Sequence, residues 1–285
     1  MTDPATPDDA GRWRELNRAW WDERTPLHVA SPLYDVAGFR AGRETLRPFE
    51  LELLGDVSGL RLVHLQCHFG LDTLGWARHG ASVVGLDFSA PAVEVASALA
   101  DELGLDGSFV CADVYDAVAA LGGERFDVVC TGFGALNWLP DLEAWSEVVA
   151  ALLRPGGRLL LAEFHPFSWV FGADREGERF EVIDDYFGEA PLHDDASGSY
   201  ADLDAHTSNN RTVEHQHPLG SILGSLLRRG LVLEAYDEYD HTLFPQFPWL
   251  EHHETTGSWH VPAGEPRVPL MFALVARRPS EAAED

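Results

Sequence analysis

The sequence predicts an α/β protein built on a doubly wound, mostly parallel seven-stranded sheet with inserted lid segments. Three observations carry that reading. Between Arg61 and Phe164, short Val- and Leu-rich runs alternate with helical patterns five times over. The same alternation resumes near the C-terminus with two further apolar runs, 231–239 and 269–278. Finally, 285 residues with 45% hydrophobic content suffice for one large core rather than a disordered chain. Strands joined through helices pair in parallel, and right-handed crossovers then place helices on both faces of an open sheet.

Taken in chain order, RWRELNRAWWDER (12–24) spaces Trp13, Leu16, Trp20 and Trp21 for one helical face. ETLRPFELELLGDV predicts a second helix ending at Gly55. The strands follow as RLVHLQ (61–66), SVVGLD (82–87), SFVCAD (108–113), RFDVVCTG (125–132) and GRLLLAEF (157–164). Between them LDTLGWARHG reads as a helix, SAPAVEVASALADELG as a helix capped by Ser89, and 141–154 as a helix closed by Pro155-Gly156-Gly157. The alternation breaks at His165. Residues 166–216 are rich in Gly, Asp, Ser and His, with a weak strand signal at FEVIDDYF. HPLGSILGSLLRRG (217–230) is a helix, LVLEAYDEY and PLMFALVARR are the last strands, and 240–268 between them holds four of the 13 histidines. The chain therefore reads as a single domain over 1–285, with an N-terminal helical cap (1–55) and two insertions, 166–216 and 240–268, that form a lid. The acidic ends, up to about residue 8 and from Pro279, read as frayed.

Composition narrows the function classes. The net charge of −27 arises from 47 acidic and 20 basic residues, every one of the latter an Arg. Such a surface repels phosphate backbones and anionic bilayers, so neither nucleic acid nor a membrane is an expected partner. Cys67, Cys111 and Cys130 are too few and too dispersed for a disulfide framework or zinc ribbon. The N-terminus lacks a signal-peptide apolar core and no run reaches 18 apolar residues, so the expected setting is cytoplasmic.

Ligands of doubly wound sheets bind beyond the carboxyl ends of the strands. Those ends read Gln66-Cys67-His68-Phe69-Gly70, Asp87-Phe88-Ser89, Asp113-Val114 and Thr131-Gly132-Phe133-Gly134. Asp87 is placed to accept from both hydroxyls of a ribose, and Asp113 from an exocyclic amine such as that of adenine. Phe88 and Val114 supply apolar walls for a flat base. Strand-terminal Asp residues also cap helices and form turns, so each alone has a second reading; the ordered set describes an adenosine pocket.

VHLQCHFGLDTL, VVGLDFS, CADVYD, FDVVCTGFGALNWLPDL and LLRPGGRLLLAEFHP, in this order over about 55–165, resemble the class I S-adenosylmethionine-dependent methyltransferases. The resemblance implies S-adenosylmethionine as cofactor and a small-molecule methyl acceptor. It implies cofactor contacts at Tyr34, Gln66, His68, Gly70, Asp87, Phe88, Ser89, Asp113, Val114, Thr131 and Gly132. The departure is in the first loop, where the family's acidic residue and G-x-G-x-G become His64-Leu65-Gln66-Cys67-His68-Phe69-Gly70. Two positions that pass the cofactor then carry a Cβ, for which Gln66 and His68 can compensate by hydrogen bonding. The loop also argues against a dinucleotide, whose pyrophosphate needs close backbone approach at those glycines. It equally leaves open a non-catalytic cofactor-binding or interaction protein on the same fold.

His165, at the end of the fifth strand, is the candidate general base, since imidazole titrates near neutrality; before Pro166 it also reads as a turn residue. His68 reads as a cofactor contact or a loop cap. Asn137 and Trp138 lie where the family brings its acceptor, or pack the following helix. His215 and His217 read as the start of a helix. Glu251-His252-His253-Glu254 invites a metal, but neighbouring His side chains on an extended segment diverge, so no metal is expected.

Overall fold

β1 (Arg61–Leu65) runs through the middle of the sheet because each of its residues after Arg61 is buried. β2 (Ser82–Asp87), β3 (Gly107–Cys111), β4 (Phe126–Thr131) and β5 (Leu153–Phe164) add to it in parallel. β12 (Met271–Arg277) enters antiparallel between β5 and β8 (Val232–Tyr239), giving the order β3-β2-β1-β4-β5-β12-β8. This computed structural model describes residues 7–171 and 180–280; the expected frayed ends fall largely outside that range.

Strand alternation divides the core into two layers. Leu62, Val83, Val128, Leu160 and Val275 face a layer that includes Leu54 of α3 (Pro48–Leu54) and Trp76 of α4 (Leu71–Arg78). Val63, Val129, Leu161 and Leu274 face the other, with Trp145 of α7 (Leu142–Leu152) and Leu226 of α8 (Leu219–Arg228). α5 (Ala90–Leu103) starts at the Ser89 cap, whose hydroxyl accepts from Ala92 N–H, and ends at Gly104 in the left-handed region. The β3–β4 crossover, which the sequence left unassigned, holds a 3₁₀ turn (Val114–Asp116) and the short α6 (Ala117–Ala120).

The ends of elements move for physical reasons. α1 spans Pro7–Ala30 and passes through Pro26, although proline removes one helical donor. Tertiary bonds hold that last turn: the fully buried Arg24 guanidinium donates to the carbonyls of Gly198 (2.7 Å) and Asn209 (2.8 Å) and to Thr207 Oγ1 (3.0 Å). A short helix, α2 (Val36–Arg40), was not anticipated, and 44–47 stays outside α3 because Pro48 opens that helix. β5 begins at Leu153, before the Pro-Gly-Gly turn, by pairing with Phe126.

Both insertions carry local sheets. In the first, β6 (Leu192–Asp194) pairs with β7 (Thr212–Glu214), and FEVIDDYF supplies a single bridge, Phe171 to Val182. In the second, β9 (His241–Thr242), β10 (Glu251–His253) and β11 (Ser258–His260) form a small antiparallel sheet. No described helix is long and apolar enough to cross a membrane.

Arg24 is the staple between α1 and the first insertion. Arg24→Met keeps its aliphatic stem but leaves those buried carbonyls unpaired, each worth about 1–3 kcal/mol. Denaturant unfolding is expected to show a loss on the order of 3 kcal/mol; a loss well under 1 kcal/mol would remove the staple.

Candidate functional site

The loop after β1 keeps the backbone path of a glycine-rich turn without its glycines. Gln66 (φ 55°) and His68 (φ 50°) both sit in the left-handed region, followed by Gly70 (φ 78°). For residues with a Cβ that conformation costs roughly 1–2 kcal/mol each. Their polar groups supply the compensation. Gln66 Nε2 donates to the Ala135 carbonyl (2.8 Å), and His68 N–H donates to Asp87 Oδ2 (2.8 Å). The His68 ring meets His28 through an Nε2···Nδ1 hydrogen bond of 2.9 Å, and His28 Nε2 pairs with Ser199 Oγ at 2.6 Å. Burial holds both imidazoles neutral, His28 down to about 4 and His68 well below its ordinary value.

Asp87 ends β2 almost fully buried. Its Oδ1 accepts from Ser89 N–H at 2.9 Å, so both oxygens are aimed by backbone donors. Burial raises this carboxyl to about 6, although the backbone donors oppose the rise. Asp113 orders the next strand end by accepting from Tyr115 N–H (2.9 Å), and Arg14 Nη1 reaches its other oxygen at 3.4 Å.

These residues converge on one cavity above the carboxyl ends of β1 to β4, where strand order reverses between β1 and β4. Tyr34, Gln66, His68, Asp87, Phe88, Asp113 and Val114 all line it. Gly70, Ser89, Thr131 and Gly132, also expected as direct contacts, stand behind that lining. Gly70 turns the chain, and a Cβ there would lie 2.6 Å from the Phe109 ring. Ser89 is buried as the α5 cap, Thr131 is buried at the end of β4, and Gly132 backs onto the His64 ring. The sequence reading missed Arg14, Asn17, Tyr115 and Tyr200 as lining residues. It did single out Trp21 and Trp138, which cover the cavity with rings 5.4 Å apart; Trp21 also lies 4.9 Å from His68.

A second cavity lies across the 3₁₀ turn Leu136–Trp138. Ala135 and Trp138 face the first cavity, Leu136 and Asn137 the second. Glu163, unremarked in the sequence, borders the second cavity and ties the turn down. Its buried carboxylate accepts the N–H groups of Gly134, Ala135 (2.9 Å), Leu136 (3.1 Å) and Phe164 (2.7 Å). Burial raises it to about 7 against the pull of those donors.

His165 lines neither cavity. Its Nδ1 accepts from Phe167 N–H (3.1 Å) and caps the turn Pro166–Val170, while Nε2 pairs with Glu238 at 3.1 Å. Its own turn takes Nδ1 and Glu238 of β8 takes Nε2, so the expected base gives way to a cap. His215 N–H donates to the Asn137 carbonyl and His217 Nε2 bonds the Leu139 carbonyl; both rings border the second cavity. In β10, His252 packs on Trp259 and His253 on His260, the divergence expected of adjacent strand residues. The group the sequence did not bring together is Asp240, His241 and His260, with ligand atoms within 4.8 Å of one another. Arg267 engages Asp240 there at 2.6 Å.

A family profile described as a methyltransferase domain matches residues 63–157. A ubiquinone biosynthesis O-methyltransferase from Methylobacterium sp. (strain 4-46) is 32% identical over 174 residues, covering 57% of this chain and 66% of that one. Among solved structures, an S-adenosylmethionine-dependent methyltransferase from Mesorhizobium loti is 25% identical with a TM-score of 0.56, covering 81% of this chain and 96% of that one. The chain belongs to the class I S-adenosylmethionine-dependent methyltransferase family. A Listeria monocytogenes structure titled as a putative member, 19% identical, shares the fold with a TM-score of 0.56 over 85% of this chain and 99% of that one. The chain spans about two thirds of the length of the curated relatives it matches.

The methyltransferase cavity fits the family's cofactor on its own evidence. Asp87 offers a buried, pre-aimed carboxylate, Phe88 and Val114 flank a slot, and Gln66 Oε1 is buried without a partner. That oxygen is a ready acceptor for an ammonium group. Asp87→Ala removes hydrogen bonds to a charged group worth about 1.5–3 kcal/mol. Adenosylhomocysteine affinity, read by calorimetry, is therefore expected to fall roughly 10- to 150-fold; parent-like binding by a folded variant would displace the cofactor from this strand end. Affinity is also expected to hold above neutral pH and fall as acidity passes about 6, where Asp87 gains its proton. Asp87→Asn should flatten that profile.

Proposed function

We propose that this methyltransferase moves a methyl group from S-adenosylmethionine to a small-molecule acceptor. The observation that carries the reading is the buried Asp87 carboxylate at the end of β2, aimed by His68 and Ser89 N–H groups into a cavity walled by Phe88 and Val114. Asp87 and Asp113 would hold the ribose hydroxyls and the adenine amine, and Gln66 with His68 the amino-acid end. When bound, S-adenosylmethionine supplies a methyl on a sulfonium; the acceptor's lone pair forms the new bond as the carbon–sulfur pair returns to sulfur.

The chain's own contribution is alignment and exclusion of water. Trp21, Tyr34 and Tyr200 come from α1, the segment after it and the first insertion, and meet over the cavity through ring contacts and a Tyr34–Tyr200 hydroxyl bond. This supports a lid role for 1–55 and 166–216 within a single domain. His215 Nε2, without a partner beside the second cavity, can take a proton leaving the acceptor, although burial lowers that ring to about 4 and so weakens it as a base. The charge of −27 supports a partner other than nucleic acid, and the dispersed free cysteines support a cytoplasmic setting.

A non-catalytic reading draws on the missing glycines, but the positive φ values at Gln66 and His68 keep the loop path a cofactor needs. Adenosylhomocysteine at about 100 times its dissociation constant is expected to stabilise the fold by roughly 2.7 kcal/mol, seen as a raised melting temperature, whereas NAD should give no shift. No shift at millimolar adenosylhomocysteine would overturn the cofactor assignment. Labelled methyl that never leaves the protein in a cell extract would favour the non-catalytic reading.

A further inference from the structure

The second cavity is built for a polar guest. Four of its lining side chains carry a buried atom without a hydrogen-bond partner: Asn137 Oδ1, His215 Nε2, Gln216 Nε2 and Gln246 Oε1. They come from three separate segments, so no single strained turn explains them. Other atoms of the same groups are well placed. Asn137 Nδ2 donates to Glu214 Oε2 (2.7 Å) and Gln246 Nε2 to Ser168 Oγ (3.0 Å). Side chains that line a cavity and hold an unpaired polar atom can orient a ligand once a small rotation turns that atom to it.

The remaining walls set its shape and charge. Phe164, Phe171, Phe247 and Ile222 provide apolar and aromatic surface, and Trp169 and Leu192 are part-exposed at the rim. Two carboxylates face the guest: Glu214 on β7, and Asp184 on the exposed side. Burial raises Glu214 above its ordinary value, so a cation beside it gains the most by restoring its charge. Trp169 at the rim adds a π face of the kind that attracts ammonium groups.

We infer that this cavity holds the methyl acceptor and that the acceptor is a ring-bearing amine, its ring among the Phe walls and its ammonium anchored on Glu214, with the methyl going to a lone-pair atom elsewhere on the molecule. The assignment rests on the methyl-transfer reading. The turn Leu136–Trp138 supports it, because that one element walls both this cavity and the cofactor's. An acid of the same shape would meet Glu214 and Asp184 as like charges.

The test uses the full chain saturated with adenosylhomocysteine and three probes sharing one ring: tyramine, 4-ethylphenol and 4-hydroxyphenylacetate. Calorimetry is expected to rank tyramine at least about tenfold tighter than the acid, with 4-ethylphenol between them. Glu214→Gln should shrink that ratio to about twofold or less while adenosylhomocysteine binds as in the parent; Asp184→Asn, on the exposed side, should shrink it in part without risk to the fold. Equal or tighter binding of the acid, no binding of any probe at millimolar concentration, or a ratio unchanged in both variants would overturn the acceptor class. Those outcomes leave cofactor binding intact. Failure to bind adenosylhomocysteine would instead overturn the methyl-transfer reading and this assignment together.

Discussion

At the switch in strand order the chain leaves β4 with backbone N–H groups that no neighbouring strand can accept. Glu163 accepts them. From the end of β5 its two oxygens take the N–H groups of Gly134, Ala135 and Leu136, with Phe164 as a fourth donor. Unpaired, each would cost free energy comparable to a lost hydrogen bond. Once that turn is fixed, its carbonyls become landmarks for other loops. Ala135 receives Gln66 from the β1 loop, and Asn137 receives His215 from the first insertion. One buried carboxylate thus sets the register of three segments that are distant in sequence, and it places the turn that borders both cavities.

The β1 loop shows how a family backbone survives an altered sequence. Glycine normally makes the left-handed turns without cost; here Gln66 and His68 make them at roughly 1–2 kcal/mol each. The side chains that create this strain also offset it, because His68 joins the His28–Ser199 chain and Gln66 reaches Ala135. That dependence couples the loop to the lid. His28 lies on α1 and Ser199 in the first insertion, and Arg24, one helical turn before His28, fastens the insertion by its carbonyls at Gly198 and Asn209. The floor and the cover of the cofactor cavity are therefore parts of one hydrogen-bonded unit.

The sheet, its seven strands and the strand-end carboxylates were legible because they rest on local periodicity and on a rule of topology. Val63 and Leu62 reach opposite core layers for the same reason that their runs read as strands. What stayed hidden depends on contacts between distant residues. Nothing local to Glu163 distinguishes it from an ordinary strand residue; only the fold brings it beneath 134–136. His165 misled because a histidine at a strand end looks chemical, whereas its ring faces β8 and caps a turn. Gly70 and Ser89 sit in the right motif but spend themselves on turning the chain and capping α5. The reach of α1 past Pro26 was hidden likewise, since the bonds that hold it come from residues more than 170 positions away.

The arginine-only basic set acquires a physical meaning from where those groups lie. Arg24, Arg78, Arg158 and Arg278 all donate to backbone carbonyls: Arg278 to Ala150 and Leu153, Arg158 to Leu54, and Arg78 to Phe39 and Arg43. A planar fork can serve two carbonyls at once, which an ammonium point charge does less well. Four of the 20 arginines, Arg24 among them fully buried, are thereby used as stitching, and the acidic groups outnumber what remains. The field reaches the site. Asp87 and Asp113 border the first cavity, Glu163 and Glu214 the second, and the imidazoles between them are held near neutrality. Such surroundings favour a cationic guest over a neutral one of the same shape. On the proposed cofactor placement, that field favours a sulfonium over the neutral thioether left after transfer.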